Sequence, residues 1–263
     1  MTRVIAVANQ KGGVGKTTTA INLAAAIALS GHAALLVDID PQGNATSGLG
    51  LKQRATESGS VYDALLADDP GVAGAQVVIP SSVERLSLAP ATRELTGAEI
   101  ELIGLPDRER RLKLFIDAVK HRFEYVVIDC PPSLGLLTLN GLVAADTVLI
   151  PLHCEYFALE GLADLVGTMR RVRAAYNPGL EIEGVLLTMY DERTNLGQQV
   201  ASDVRDFFKE KVFRTVIPRN VRLGEAPSHG LPGVVYDARS RGAEAYFALA
   251  HEVLTRGYDQ SAA

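Results

Sequence analysis

Cysteine is scarce in this sequence, which contains only Cys130 and Cys154 among 263 residues. Two thiols so far apart are too few to hold a metal cluster within one chain, and a cytosolic setting keeps them reduced. We therefore expect both side chains in the core. One alternative stays open, since two such chains could supply four thiolates to a cluster on a shared axis. It is the weaker alternative because Cys130 lies within an Asp-x-Pro-Pro motif.

Long apolar runs are also missing. No stretch approaches the ~18 residues that span a bilayer, and the N-terminus enters a strand pattern without a signal peptide. With 47% hydrophobic and 22% charged residues, the composition and length predict one soluble α/β domain, residues 1–263, in the cytoplasm. The net charge of −5 argues against a protein coated in nucleic acid but leaves room for a local basic face.

A glycine-rich segment, Lys11-Gly-Gly-Val-Gly-Lys-Thr-Thr18, stands between a strand pattern and a helix pattern. In such loops backbone N–H groups converge on phosphate oxygens, a lysine reaches the β/γ-phosphates and a hydroxyl contacts Mg²⁺. Lys16 and Thr17 occupy the last two positions, although Gln10 replaces the first glycine of the generic motif. A glycine-rich turn with solvated lysines is the alternative, and the flanking strand and helix disfavour it. We predict a nucleoside triphosphate site.

Aspartates follow two of the apolar runs. Asp38 and Asp40 end the run that starts at Ala34, and Asp129 ends the run that starts at Tyr125. Ligands of open α/β sheets bind at this carboxyl edge. We predict that Asp129 holds Mg²⁺ as a Walker-B aspartate does and that Asp38 orders the Mg²⁺ side of the site. A capped turn is the alternative for the first pair.

Strand and helix patterns alternate along the chain, which predicts an α/β fold with a mostly parallel twisted sheet and helices on both faces. The predicted strands are 3–8, 34–37, 86–89, 125–129, 143–152 and 182–189. The predicted helices are 17–29, 60–66, 94–103, 108–122, 155–176 and 242–256.

Basic residues concentrate between residues 205 and 222. Six of them stand against two acidic residues, a local excess of four positive charges. Such a run is more often a solvated helix face than a binding patch, so charge alone leaves both interpretations open. The six are Arg205, Lys209, Lys211, Arg214, Arg219 and Arg222.

These motifs together resemble one family. The loop resembles the deviant phosphate loop, xKGGxGK[TS], of the ParA/MinD family of dimerising ATPases, and VDIDPQGNATSGLG at 37–50 resembles its second nucleotide motif. Segments 190–197 and 217–230 are similar to the Soj branch of chromosomal ParA proteins. Segment 91–101 also resembles the family but suggests no chemistry.

The resemblance implies a SIMIBI-type P-loop fold, ATP and Mg²⁺ as cofactors, and roles for individual residues. It implies that Lys11, Lys16 and Asp40 are catalytic, with Lys11 reaching nucleotide in the partner subunit and Asp40 activating water. It implies nucleotide contacts by Lys11, Gly13, Val14, Gly15, Lys16, Thr17, Thr18, Pro218 and Asn220, and a metal site of Thr17, Asp38 and Asp129. It implies DNA contacts by Arg193 and Arg222, with Arg219, Lys209, Lys211 and Arg214 beside them.

In function the resemblance implies an ATP-dependent homodimer that binds double-stranded DNA and is stimulated by a ParB-like partner. Only ten residues precede the loop, so we expect no operator-reading domain and sequence-independent DNA binding on the nucleoid. The tail lacks a basic amphipathic helix, so we expect no membrane partner. Two alternatives remain: an ATPase that positions another cargo, and a metabolic amide-forming or carboxylating enzyme on the same fold.

Overall fold

Eight strands organise the chain in a computed structural model that describes residues 2–155 and 158–261. They are β1 Arg3–Val7, β2 Ala34–Asp38, β3 Ile79–Pro80, β4 Leu86–Ala89, β5 Tyr125–Asp129, β6 Thr147–His153, β7 Glu181–Tyr190 and β8 Ile217–Pro218. They form one sheet in the order β3-β4-β2-β5-β1-β6-β7-β8. The β3–β4 pair is antiparallel and the other pairs are parallel, which confirms the predicted mostly parallel sheet.

Helices connect these strands. They are α1 Lys16–Leu29, α2 Asn44–Gly48, α3 Lys52–Ser58, α4 Val61–Leu66, α5 Pro70–Val77, α6 Leu95–Glu101, α7 Arg111–Val119, α8 Leu136–Ala144, α9 Ala158–Ala175, α10 Asn195–Phe208, α11 Val221–Glu225, α12 Gly233–Tyr236 and α13 Arg241–Ser261.

Side chains of each strand alternate between two hydrophobic clusters, one on each face of the sheet. On β1, Val4 packs into the cluster with Phe115 of α7, whereas Ile5 packs into the cluster with Leu23 of α1 and Leu249 of α13. Helices therefore cover both faces, as predicted. A strand that is covered on both faces has a nearly continuous apolar run in its sequence. The run in β2 fits this rule, because β2 is buried along its whole length.

Several predicted bounds differ from the structure. Val143 and Ala144 end helix α8, so the strand predicted from 143 begins only at Thr147. The helix predicted from 108 to 122 begins at Arg111 and passes into a 3₁₀ turn after Val119. The helix predicted from 155 to 176 corresponds to α9, Ala158–Ala175, and residues 156 and 157 of the predicted range lie outside the described residues.

Both cysteines are buried free thiols, which confirms their predicted place in the core. Over the two described stretches, no three His, Cys, Asp or Glu side chains come together as a metal-binding group. Within the same stretches, no helix combines the length and the apolar character needed to cross a membrane.

Candidate nucleotide and metal site

The glycine-rich loop joins β1 to α1 at the carboxyl edge of the sheet. Gly13 and Gly15 have φ of +72° and +85°, a left-handed conformation that costs other L-residues roughly 1–2 kcal/mol. Gly15 is the N-cap of α1 and offers no capping side chain. The first N–H groups of α1 therefore face the loop and suit an anion.

Lys16 lies inside this loop. Its side chain is buried, and Nζ donates a hydrogen bond to the Lys11 carbonyl at 2.9 Å. Burial lowers the pKa of Lys16, against the opposing effect of Asp129 and Asp40. The ammonium group closes the loop on itself, so an anion entering the loop would compete with the carbonyl for Nζ.

Lys11 is the first residue of the same loop, and a third of its side chain is exposed. Its backbone N–H donates to Asn9 Oδ1 at 3.0 Å, and its Nζ donates to Glu155 Oε2. Glu155 also pairs with His153 Nδ1 at 2.8 Å, and the hydrogen bond from Lys11 lowers the pKa of Glu155. The two lysines of one loop therefore occupy different environments.

Asp38 and Asp129 are paired in register on neighbouring strands β2 and β5, and both are fully buried. The Asp38 carboxylate accepts three hydrogen bonds within the protein. The donors are the Thr46 N–H at 2.8 Å, the Thr46 hydroxyl at 2.7 Å and the Asp40 N–H at 3.2 Å. Burial nevertheless raises the pKa of Asp38 to about 6. Sequence reasoning missed Thr46, although it lies within the second nucleotide motif.

Asp129 has no such donors. Neither carboxylate oxygen has a hydrogen-bond partner among the described residues. Burial and the neighbouring Asp38 raise the pKa of Asp129 well above its usual value. Thr17 and Lys16 act in the opposite direction, but the Thr17 hydroxyl makes no hydrogen bond of ordinary geometry to the carboxylate.

A buried carboxylate without donors is costly unless a cation completes it. Mg²⁺ characteristically binds through one or two carboxylates together with hydroxyl, phosphate and water oxygens. Asp129, with Asp38 paired to it in register and Thr17 opposite, fits that donor set. Asp40, a buried residue at the same edge, accepts a hydrogen bond from the Gln42 N–H at 2.9 Å.

The far side of the loop meets β7 and β8. Thr188 of β7 donates to the Val14 carbonyl at 2.8 Å, and Pro218 of β8 lies opposite Tyr190. Asn220 Oδ1 caps α11 by accepting from the Arg222 N–H at 2.9 Å. Pro218 and Asn220 thus lie at the same carboxyl edge as the loop.

The predicted DNA-binding residues do not form one patch. Arg193, Arg219 and Arg222 follow β7 and β8 at the carboxyl edge. Lys209, Lys211 and Arg214 instead line a cleft of about 720 Å³ at the amino edge, where Lys211 Nζ lies 3.7 Å from Glu181, the first residue of β7. The ten residues of β7 separate the two groups by roughly 30 Å.

Comparisons with known proteins agree with this geometry. A family model described as an AAA domain matches residues 2–182. The sporulation initiation inhibitor protein Soj of Bacillus subtilis is 57% identical over 98% of this chain and 100% of its own length. The chain belongs to the Soj/ParA family of chromosome partitioning ATPases. Its membership confirms the resemblance inferred from the loop and the aspartate motifs.

Other relatives extend the match. The chromosome partitioning protein ParA of Myxococcus xanthus is 52% identical to this Soj/ParA chain, over 98% of the chain and 90% of the relative. A solved structure of Mycobacterium smegmatis cobyrinic acid a,c-diamide synthase with bound ATP analogue and magnesium superposes with a TM-score of 0.83 at 40% identity, covering 97% of this chain and 94% of that one. The predicted α/β P-loop ATPase class is confirmed.

Proposed function

We propose that this Soj/ParA chain binds ATP and Mg²⁺, pairs as an ATP-dependent homodimer and binds double-stranded DNA without sequence preference. A ParB-like partner stimulates hydrolysis, and the cycle partitions a chromosome or plasmid on the nucleoid in the cytoplasm. Residues 1–263 act as one ATPase domain. The observation that carries the proposal is the separation of two lysines on one loop. The Lys16 side chain is buried inside the loop, which supports a role in its own site, whereas a third of the Lys11 side chain is exposed, which supports contact with a second protomer.

In the proposed complex the phosphates lie on the N–H groups of Gly13, Val14 and Gly15, and Thr18 extends the contact into α1. Lys16 Nζ leaves the Lys11 carbonyl for the phosphates. Pro218 and Asn220 lie beside the adenine. The free N-terminus of α1 and the positive φ of two loop glycines support this arrangement.

Thr17, Asp129 and Asp38 would hold Mg²⁺ on the other side of the phosphates. Bound there, Mg²⁺ neutralises charge on the β- and γ-phosphates. Asp38 would support Asp129 in holding the ion, because Asp38 already accepts two hydrogen bonds from Thr46. The unpartnered Asp129 carboxylate favours this assignment over a purely structural buried aspartate.

Hydrolysis needs an oriented water and stabilisation of the charge that develops on the transferred phosphoryl group. We assign the first task to Asp40, which follows β2 at the nucleotide edge. The second falls to Lys16 of the same protomer and Lys11 of the other. Lys11 must release Glu155 before it can reach the phosphates bound by the other protomer. Because this contact needs both a second protomer and its nucleotide, pairing and nucleotide occupancy become linked.

DNA contact follows from the same pairing. Arg193, Arg219 and Arg222 share the carboxyl edge with the nucleotide site, and a dimer presents two such sets to one duplex. Doubling a weak contact multiplies affinity, and contacts to phosphates make it strongly salt-dependent. Lys209, Lys211 and Arg214 would meet DNA as a separate contact at the amino edge.

The test is the rate of ATP hydrolysis with and without non-specific DNA and a ParB-like protein. Joint stimulation by both is expected, together with loss of ATP binding in Lys16→Ala. The relation to a diamide synthase favours a second candidate, an amide-forming enzyme. That enzyme would need a small carboxylic acid for turnover and would be indifferent to DNA. Turnover that depends on such an acid and ignores DNA would exclude the partitioning function.

A further inference from the structure

A second cavity, of about 710 Å³, lies beside the aspartates of the proposed nucleotide site. We infer that it binds a small hydroxylated molecule that carries a phosphate group. Its walls are the turn that follows Asp40, the starts of α3 and α4, and segment 91–96. The volume is within the range of small-ligand sites, about 300–1,000 Å³.

Two exposed cations line this cavity. The side chains of Lys52, at the start of α3, and Arg93, in segment 91–96, make no hydrogen bond or ion pair within the described ranges. The lining also carries two carboxylates, Asp63 and Glu94, of which Asp63 accepts hydrogen bonds from the N–H and the hydroxyl of Ser60. Although Asp63 and Glu94 balance their formal charge, Lys52 and Arg93 have no partner in the described part of the chain and remain available to a phosphate group, which carries about −1.5 to −2 at neutral pH.

Hydroxyl groups make up much of the remaining wall. The Thr92 hydroxyl lies 3.2 Å from that of Ser60, and further hydroxyls of Ser47, Thr56 and Thr96 line the same space. The hydroxyls of Ser60, Thr92 and Thr56 already donate within the chain, and their free lone pairs can accept hydrogen bonds from the hydroxyl groups of a ligand. This wall suits a ligand whose carbon skeleton carries hydroxyl groups, in addition to the phosphate that the cations attract.

The cavity is connected to the aspartates by hydrogen bonds. The Ala91 N–H donates to the Thr46 hydroxyl at 2.9 Å, and that hydroxyl donates to Asp38 at 2.7 Å. The two walls touch, because a Cβ built on Gly43 would lie 3.4 Å from the Ala91 carbonyl oxygen. A ligand that fixes segment 91–96 therefore also fixes Thr46 and the turn after Asp40. This coupling to hydrolysis rests on the proposed function, whereas the binding site itself does not.

Binding is tested by NMR on protein labelled at alanine and threonine methyl groups, with Mg·ADP at saturation to occupy the phosphate loop. The probe is glycerol 3-phosphate, with glycerol and inorganic phosphate as comparators. We expect saturable shifts of the Ala55, Ala91 and Thr92 methyls with both phosphates and none with glycerol. The Lys52→Gln/Arg93→Gln variant should raise the apparent Kd at least about tenfold.

The matched control is Arg54→Gln, which removes a cation from the same helix outside the cavity lining. It should leave the apparent Kd unchanged. Absence of shifts, equal binding by the double variant, or equal weakening by the control would each overturn the site. The readout methyls lie outside the phosphate loop, so the titration remains informative even if ADP does not bind.

Coupling is tested separately by ATP turnover with and without glycerol 3-phosphate. We expect the probe to change the turnover of the wild type and to leave that of the double variant unchanged. Methyl shifts without any change in turnover would overturn the coupling and retain the site. Absence of ATP turnover under every condition would contradict the proposed function instead.

Discussion

Replacing Asp129 by asparagine should stabilise the nucleotide-free protein while removing its response to Mg²⁺. The wild-type carboxylate is fully buried, and neither oxygen has a hydrogen-bond partner in the described structure. A buried polar group left unsatisfied costs about 1–3 kcal/mol, and more when it is charged. For a chain of this size, each kcal/mol recovered by the neutral amide should raise the Tm by roughly 2–4 °C.

The effect should depend on pH in a defined direction. Because burial and Asp38 raise the pKa of Asp129 in the folded state, the fold binds that proton more tightly than the unfolded chain does. The stability associated with the protonated form is present at low pH and is lost as pH rises through the raised pKa. The variant should therefore gain most over the wild type at neutral and higher pH, and the two should converge in acid.

The assay is thermal unfolding across a pH series, without nucleotide and with Mg·ADP. At about 100 times Kd a ligand adds roughly 2.7 kcal/mol, and the variant should lose the Mg²⁺-dependent part of that gain. Glu183→Gln is the control, since it neutralises another buried carboxylate with an unpartnered oxygen at the opposite edge of the sheet. A variant less stable at every pH that still responded fully to Mg²⁺ would refute the metal assignment.

Four further variants separate the steps of the cycle. Gly12→Val should bind ATP yet fail to dimerise in light scattering; a Cβ there meets no described atom within 4 Å, so misfolding would contradict the prediction. Asp40→Ala should dimerise with ATP but release no phosphate, and wild-type release would remove Asp40 from the mechanism. Charge reversal of Arg193 and Arg222 to Glu should abolish a DNA gel shift while retaining ATPase activity. Lys211→Glu, at the other edge, should weaken the shift less; the reverse order would relocate the DNA site.

The buried sheet was predictable because its parallel strands are short, continuous apolar runs between turn residues. The predicted segments near β1, β2, β4, β5 and β7 agree with the structure to within one or two residues. Two longer helices were not predicted: α10, with its 14 residues, and α8, whose sequence LLTLNGLVA is apolar on nearly every side. A helix buried all round lacks a polar face, so its periodicity cannot separate it from the strand that follows.

The short helices between β2 and β4 also escaped prediction, since α2, α3 and α5 have only five to eight residues. One of them carried a usable signal. Asp69 caps α5 by accepting from two backbone N–H groups, and Pro70 occupies its first position. An Asp-Pro pair at that spacing is a helix start. The others are held by tertiary packing and have no comparable local signal.

The residues of the candidate site also differ in whether the local sequence indicates their position. The sequence could indicate that Lys16, Thr17 and the three aspartates lie at one edge of the sheet, because each is part of a short contiguous motif at a strand end. Glu155 was not, because its contact with Lys11 joins residues 144 positions apart. Only the parallel β1–β6 pairing brings these two side chains together. Residues that act through long-range contacts leave no pattern in a single sequence.

The basic segment shows how proximity in sequence can mislead about function. Residues 212–218 run beside β7 from Val185 to Tyr190, so the cations before and after this stretch emerge at opposite edges of the sheet. At the nucleotide edge, Arg193 pairs with Asp191 at 2.7 Å, and Arg222 pairs with Glu225 at 2.8 Å.

In the DNA complex proposed above, phosphates would have to compete with carboxylates of the same chain for these exposed arginines. Exchange of one exposed partner for another yields little net free energy for each contact. A single protomer should bind DNA weakly for this reason, and measurable affinity should require the summed contacts of two protomers. Dependence of DNA affinity on nucleotide then follows from the weakness of each contact, without any rearrangement of the arginines themselves.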